Sequence, residues 1–288
     1  MKKKLARFFG RSFFNFKGKF KLIKFLYSSD KFGHVNSGEK FVTDYYGLKY
    51  EGITSNYIDW GVYFFEGLEK GLVNYFFHEL NRNTFNYFLD IGAGSGTISL
   101  PFCKYNNLKI ICFEPLEYSY IKLTNNYKIN EQNKFHEFHN IALSSKKETG
   151  EISYSKFHDN PGTASIIENK IKNPYDISKQ IVNLNTLDNL YNFKDKKIIL
   201  KIDVERYEDY VIDGGLNLLK NNQILMYIET SNHDLIKKLK SLNFDIFFPK
   251  FFYDKYSFSP NLIENHVIAK NYWFACCFCI IILNKSIT

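Results

Sequence analysis

The chain has 288 residues and a formal net charge of +8, enough for one large α/β domain or two small ones, with a core that needs no staples. A nucleic-acid binder would spread such charge over its folded surface. Here nine basic residues and no acid fall in the first 25 positions, so the remainder is close to neutral. The five cysteines, Cys103, Cys112, Cys276, Cys277 and Cys279, form no CxxC pair with a distant partner pair, which argues against structural zinc and for a reducing, cytoplasmic setting.

The basic arm over residues 1–27 has a helical period. Leu5, Phe9, Phe13, Phe16, Phe20 and Ile23 fall on one stripe, with Lys3, Lys4, Arg7, Arg11 and Lys21 largely opposite. Gly10 and Gly18 each weaken such a helix by roughly 1 kcal/mol. Two readings follow: a helix lying through residues 2–26 on an anionic membrane surface, peripheral on its inner face, or a helix docked on this domain or on a partner subunit. Charges interrupt any secretory apolar core, and the apolar run Tyr272–Leu283 is too short to span a bilayer as a helix. It reads as a buried strand.

Residues 28–83 form a leading segment. Its "KFVTDYYGLKYEG" alternates around Tyr46-Gly47, predicting a hairpin, and a helix follows from Trp60 to Leu80. Over residues 84–288 strands alternate with helices. The strands are Tyr87–Ile91, Lys109–Phe113, Phe135–Ala142, Ile198–Asp203, Ile224–Glu229, Phe244–Phe248 and Trp273–Leu283; the helices are Thr97–Tyr105, Tyr118–Asn130, Tyr207–Leu219 and Asp234–Leu242. This pattern predicts a mostly parallel seven-stranded sheet with helices on both faces. His158–Tyr175 reads as a long functional loop.

The stretch "FLDIGAGSG" places Asp90 at the end of the first strand and Gly92, Ala93, Gly94 and Gly96 in the turn beyond it. Ligands of doubly wound sheets sit beyond the strands' C-terminal ends, and glycine lets the backbone approach them. The second strand ends in Glu114-Pro115, about 20 residues after Gly94, where a carboxylate can accept both hydroxyls of a ribose. Ala142, closing the third strand, completes the set expected at the cofactor. A dinucleotide fold wants glycine at position 97, which is Thr; the G-x-G-x-G spacing resembles S-adenosylmethionine-dependent methyltransferases of the Rossmann-like class.

A second constellation lies in "IILKIDVERYEDYVIDGG", where Asp203 ends a strand and Glu205 follows; Glu229 ends the next. Three acids at the mouth of one sheet are costly to bury unless paired or bound to a cation. Together "FLDIGAGSGTISL", "CFEPLEYSYIKLTNNYKIN", "LNTLDNL", "LKIDVERYEDYVIDGG" and "MYIET" resemble the FkbM family of methyltransferases, and "GTASI" at 162–166 is similar to its loop after the third strand. The resemblance implies a cofactor turn at Asp90, Gly92, Gly94 and Gly96, a ribose acid at Glu114, and signature acids at Asp203 and Glu205. Members commonly carry Asn-x-Gly where this chain has Gly94-Ser95-Gly96. They usually carry Gly after the signature Glu, where this chain has Arg206, a change that bears on the acceptor pocket.

The resemblance implies O-methylation, for bacterial members often of a sugar hydroxyl in a surface polysaccharide or lipid-linked glycan. A hydroxyl is a weak acid, so a base or a cation must help remove its proton. Asp203 is the best-placed base, with His233 and His158 as further candidates; alternatively Asp203 and Glu229 share a divalent cation. Other classes are a nicotinamide-dependent oxidoreductase, disfavoured by Thr97, and an inactive membrane-associated binding module, suggested by Arg206. A nucleic-acid methyltransferase is disfavoured because the charge lies in the arm.

Overall fold

The computed structural model describes residues 2–12, 16, 18–28, 38–155, 166, 177–230, 232–252, 255–259 and 279–284. Phe13, His158, Cys276, Cys277 and all of the 162–166 stretch but Ile166 lie outside them.

The arm forms two helices, α1 (Lys2–Arg11) and α2 (Lys19–Leu26). Strands β1 (Lys40–Tyr45) and β2 (Leu48–Ile53) form the expected antiparallel hairpin, Tyr45 opposite Leu48, with Tyr46 and Gly47 at positive φ in the turn. The expected helix over Trp60–Leu80 is instead two, α3 (Tyr57–Phe65) and α4 (Lys70–Arg82). Glu66 and Gly67 both adopt positive φ, and their N–H groups donate back to Val62 and Gly61, a left-handed cap that ends α3.

Strands β3 (Tyr87–Ile91) and β4 (Lys109–Phe113) match the sequence expectation residue for residue. The helix expected over Thr97–Tyr105 reduces to one 3₁₀ turn, Leu100–Phe102, because Pro101 has no N–H to give and its ring blocks the preceding turn. Next come α5 (Glu117–Lys128), β5 (Glu137–His139) and a small sheet of β6 (Ala142–Leu143), β7 (Glu148–Ser155) and β8 (Ile177–Asn185). After α6 (Leu187–Leu190) and β9 (Lys197–Ile202), the helix expected over Tyr207–Leu219 breaks into α7 (Glu208–Asp213) and α8 (Leu216–Lys220). Gly214 lies at the break, where a Cβ would stand 1.9 Å from the Ser144 carbonyl oxygen. The chain continues through β10 (Gln223–Glu229), α9 (His233–Ser241), β11 (Phe244–Phe252), β12 (Lys255–Ser259) and β13 (Cys279–Asn284).

Among the described residues the main sheet has eight strands rather than seven, in the order β12-β11-β13-β10-β9-β3-β4-β5. The contiguous run from β10 to β5 is parallel, and β13 inserts antiparallel between β10 and β11. Crossover helices cover both faces, the doubly wound α/β arrangement. Alternate residues of the central strands feed two cores. Phe88, Ile110, Ile199 and Tyr227 pack with Leu72, Phe76 and Leu123 from α4 and α5. Leu89, Ile111, Leu200 and Met226 pack with Val211, Leu235 and Leu239 from α7 and α9. Phe41, Tyr45, Tyr50 and Val62 belong to the first core, so the leading segment is built into the domain.

The arm also docks. Ala6 and Ile23 are buried with Trp60, Phe64 and Phe65, and Trp60 Nε1 donates to the Tyr27 carbonyl oxygen at 2.7 Å. Gly10 is a contact, since a Cβ there would lie 2.2 Å from the Phe64 carbonyl oxygen. This gives a sign-inverted test. Gly→Ala inside a helix normally stabilises by about 1 kcal/mol, whereas Gly10→Ala should destabilise by about 1–3 kcal/mol through overpacking, read from the urea midpoint at unchanged slope.

Candidate active site

Strand parity aims the functional residues. Asp90 pairs in register with Lys201 on β9 and with Cys112 on β4, and Lys201 pairs with Tyr227 on β10. Cys112 and Tyr227 belong to the α4–α5 core. Two residues beyond them stand Glu114, Asp203 and Glu229, so period-two alternation sends all three to that same side at the strand ends.

Each glycine of the turn has its own reason. Gly92, Gly94 and Gly96 all have positive φ, at 73°, 55° and 84°. A Cβ on Gly92 would sit 1.9 Å from the Asp203 carbonyl oxygen, so the turn is pressed against the end of β9. A Cβ on Gly94 would meet nothing within 4 Å; here the backbone is bare towards open space. The Gly92 and Ala93 N–H groups both donate to Phe113 O, each at 3.0 Å.

Glu114 is buried, and its two oxygens accept from Gly94 N (2.8 Å) and Leu116 N (2.9 Å). Burial pushes its carboxyl up to about 7, with those two N–H groups pulling the other way. Each oxygen keeps a lone pair, so the fixed carboxylate suits the two hydroxyls of a ribose. The bare turn and the held acid fit S-adenosylmethionine. Pro115 follows, its carbonyl taking donors from Asn140 and Gln180. Ala142 lies on β6, buried with Ile152, Val182, Leu184 and Tyr207.

Lys201 was not singled out from the sequence, yet it organises the site. It is buried in mid-sheet, donates to the Gly92 carbonyl oxygen at 2.7 Å, and lies 3.3 Å from Asp90 and 3.6 Å from Asp203. Burial opposes its charge, but Asp90, Asp203 and Glu69 more than offset that, and its pKa stands above the ordinary lysine value. Asp90 is fully buried, and neither of its oxygens accepts a hydrogen bond among the described residues; the Lys201 charge holds it. The positive charge beside Asp203 is therefore an ammonium. Among the described residues no group of three His, Cys, Asp or Glu side chains could hold a metal ion.

Glu69 was also missed. It is the N-cap residue of α4, and solvent reaches it, yet Asp203, Lys201, Glu229 and Asp90 all act on its charge. Crowding by protein, then the like charge of Asp203, push its carboxyl up to about 7. The missed signal was the chain break at Glu66-Gly67, which separates α3 from α4 and leaves Glu69 as the N-cap residue of α4.

Glu205 and Arg206 form a left-handed pair, φ 52° and 75°. That conformation explains why glycine suits position 206; Arg206 holds it with its N–H on Glu208 Oε1 at 3.1 Å. Glu208 is buried and pushed up to about 7 by that burial, with backbone N–H groups opposing. His233 opens α9 and is exposed.

The leading segment clamps the turn. Tyr50 OH bonds Ser95 Oγ and donates to Asp59 Oδ1, both at 2.7 Å. Asp59 is fully buried and also takes Lys122 Nζ at 2.5 Å. Tyr45 OH donates to Thr97 O at 2.6 Å, and Asn126 Nδ2 to Ser95 O at 3.1 Å.

The Methyltransferase FkbM domain family matches residues 90–246, just over half of the chain. No curated protein matches it in sequence. Among solved structures, the methyltransferase FkbM from Methylobacillus flagellatus is similar at 11% identity and a TM-score of 0.46, over 75% of this chain and 48% of that one. A SAM-dependent O-methyltransferase from Thermotoga maritima gives 11%, 0.38, and 75% and 65% coverage. M. jannaschii TYW2 in complex with AdoMet gives 10%, 0.42, and 85% and 84%. The chain thus spans about half the length of the first of these.

Removing one partner of a buried ion cluster strands the others. Lys201→Met should cost about 3–5 kcal/mol of unfolding free energy, and adding Asp90→Asn should recover part of that loss. Denaturant titration of the two variants checks this.

Proposed function

This chain belongs to the FkbM family of S-adenosylmethionine-dependent methyltransferases, and we propose that it methylates a hydroxyl oxygen of a sugar in a surface glycan or lipid-linked saccharide. One observation carries the choice of acceptor: Asp203 lies 3.6 Å from the buried Lys201 ammonium, and the charges of Asp203 and Glu229 both act on Glu69 at the strand ends. Carboxylates are natural acceptors for sugar hydroxyls. The same negative wall repels phosphates, which disfavours nucleic acid as acceptor.

When bound, the cofactor supplies a methyl carbon on a sulfonium, activated for in-line displacement. The chain's residues bind, orient and move a proton. Glu114 receives the ribose hydroxyls, and the bare turn at Gly94 admits the ligand. In the transfer the acceptor oxygen gains a bond to the methyl carbon as the carbon–sulfur bond breaks, and the hydroxyl proton passes to a carboxylate. Asp203, the base expected from the sequence, lies 3.6 Å from Lys201. Glu69, at about 7, is matched to take a proton near neutral pH. In this reading Glu69 takes the proton and Asp203 orients the hydroxyl.

Calorimetry with S-adenosylhomocysteine tests the cofactor site. Hydroxyl donors favour the ionised Glu114 carboxylate, so affinity should rise with pH up to about 7, with a limiting slope of about tenfold per unit, and level off above. Glu114→Ala should weaken binding by roughly 1–3 kcal/mol and flatten that dependence. Tight NAD binding without S-adenosylhomocysteine binding would overturn the methyltransferase reading.

A glycan screen with methyl-labelled cofactor tests the chemistry. Label should enter a sugar hydroxyl, and Asp203→Asn should lower turnover with cofactor affinity kept within about tenfold. Glu69→Gln should lower kcat by about 10²–10⁴-fold and remove the acidic limb of the rate profile near pH 7. A retained limb in that variant gives the base to Asp203; label in nucleic acid sinks the sugar reading.

A further inference from the structure

The arm's two helices turn one side to the protein and the other to solvent, and the sides differ in chemistry. The inner side is Ala6, Gly10, Lys19 and Ile23, with Phe9 and Phe20 half-buried against the Trp60, Phe64 and Phe65 cluster. The cations on or beside that side are committed to the protein. Lys3 pairs with Glu39, and Arg7 bonds Thr43 and stacks over Tyr63. Arg11 donates to the carbonyl oxygens of Val62, Tyr63 and Asp44, and Lys19 to that of Ser12.

The outer side carries Lys4, Leu5 and Phe8 on α1 and Lys21, Lys24 and Phe25 on α2, all exposed, and Lys2 in the first turn of α1 is exposed as well. At 3.6 residues per turn, positions 4, 5 and 8 share one side of α1, and 21, 24 and 25 share one side of α2. Phe8 is 70% exposed and Phe25 80%. Phe16, between the helices, is also exposed. The first acid after the start is Asp30, so neither helix contains an acidic side chain.

The stripe expected to meet a membrane is thus partly used for docking, and a different set of phenylalanines faces outward. Polyanions in water would pair with the lysines but leave Phe8 and Phe25 hydrated. A wholly apolar partner would leave the lysines without counter-charge. Aromatic rings and ammonium groups on one surface match a boundary that is anionic outside and hydrocarbon beneath. We infer that the outer side of α1 and α2 docks the protein on an anionic lipid bilayer. Docking on the domain and docking on the bilayer then use opposite sides of the same helices and do not compete. The inference is independent of the cofactor site.

Flotation of the full chain with vesicles tests it. Binding to vesicles containing phosphatidylglycerol should exceed binding to pure phosphatidylcholine vesicles by at least about tenfold, through the outward lysines. High salt should reduce this binding without abolishing it, because the phenylalanine contribution is not screened. Phe8→Ser with Phe25→Ser should remove the salt-resistant part. Lys2→Glu, Lys4→Glu and Lys21→Glu together should remove the lipid preference. Both variants should keep the melting temperature and the S-adenosylhomocysteine affinity of the parent, because none of these residues is buried or near the glycine turn. Absence of flotation, equal flotation with both vesicle types, or an unchanged Phe8→Ser/Phe25→Ser variant would overturn the inference. So would a variant that loses self-association in sedimentation while floating as the parent does, which would give this surface to a second copy of the chain.

Discussion

A lysine in the middle of a sheet fixes the geometry on which the site depends. Lys201 joins β9 to its neighbour through Asp90, to the glycine turn through the Gly92 carbonyl, and to the pocket through Asp203. A buried ammonium is tolerated only with such compensation, and the compensation in turn fixes where each carboxylate stands. The close approach of Gly92 to the Asp203 carbonyl adds a steric lock. Turn and strand end therefore behave as one rigid body.

That body is braced from outside the sheet. The hydroxyls of Tyr45 and Tyr50 reach the turn from the leading hairpin, and Asp59, held by Lys122, anchors the second of them. Glu69 arrives from the same segment. The family match begins at residue 90, so the parts that clamp the turn lie upstream of the matched region. In this chain a methyltransferase sheet is joined to its own upstream frame.

What the sequence disclosed follows from local physics. Strands β3 and β4 are short apolar runs buried on both faces, with no competing pattern, and their bounds were legible. Glu114 was legible because strand length and turn length together set its distance from Gly94. Lys201 was not, because a lone charge in an apolar strand has meaning only against its cross-strand partner, and register is not written in one strand. Glu69 was hidden by a helix break that depends on two positive φ values, one of them at a glutamate. Pro101 was a local signal overridden in the reading by the surrounding apolar pattern. The arm's period was legible, but which side of it packs depended on Gly10 meeting Phe64.

The position of β13 bears on how the chain reaches its final form. Strands β10 and β11 are consecutive in sequence, yet each pairs with β13, which comes later and lies between them. Until that strand arrives, both neighbours expose unpaired backbone edges towards the same gap. During synthesis or refolding, another chain could fill the gap by edge-to-edge association. Strands β3, β4, β9 and β10, which carry the pocket, need no such insertion among themselves. The pocket strands can thus pair ahead of the sheet's far half, and the slow, aggregation-exposed step of folding falls where β13 closes the gap between β10 and β11.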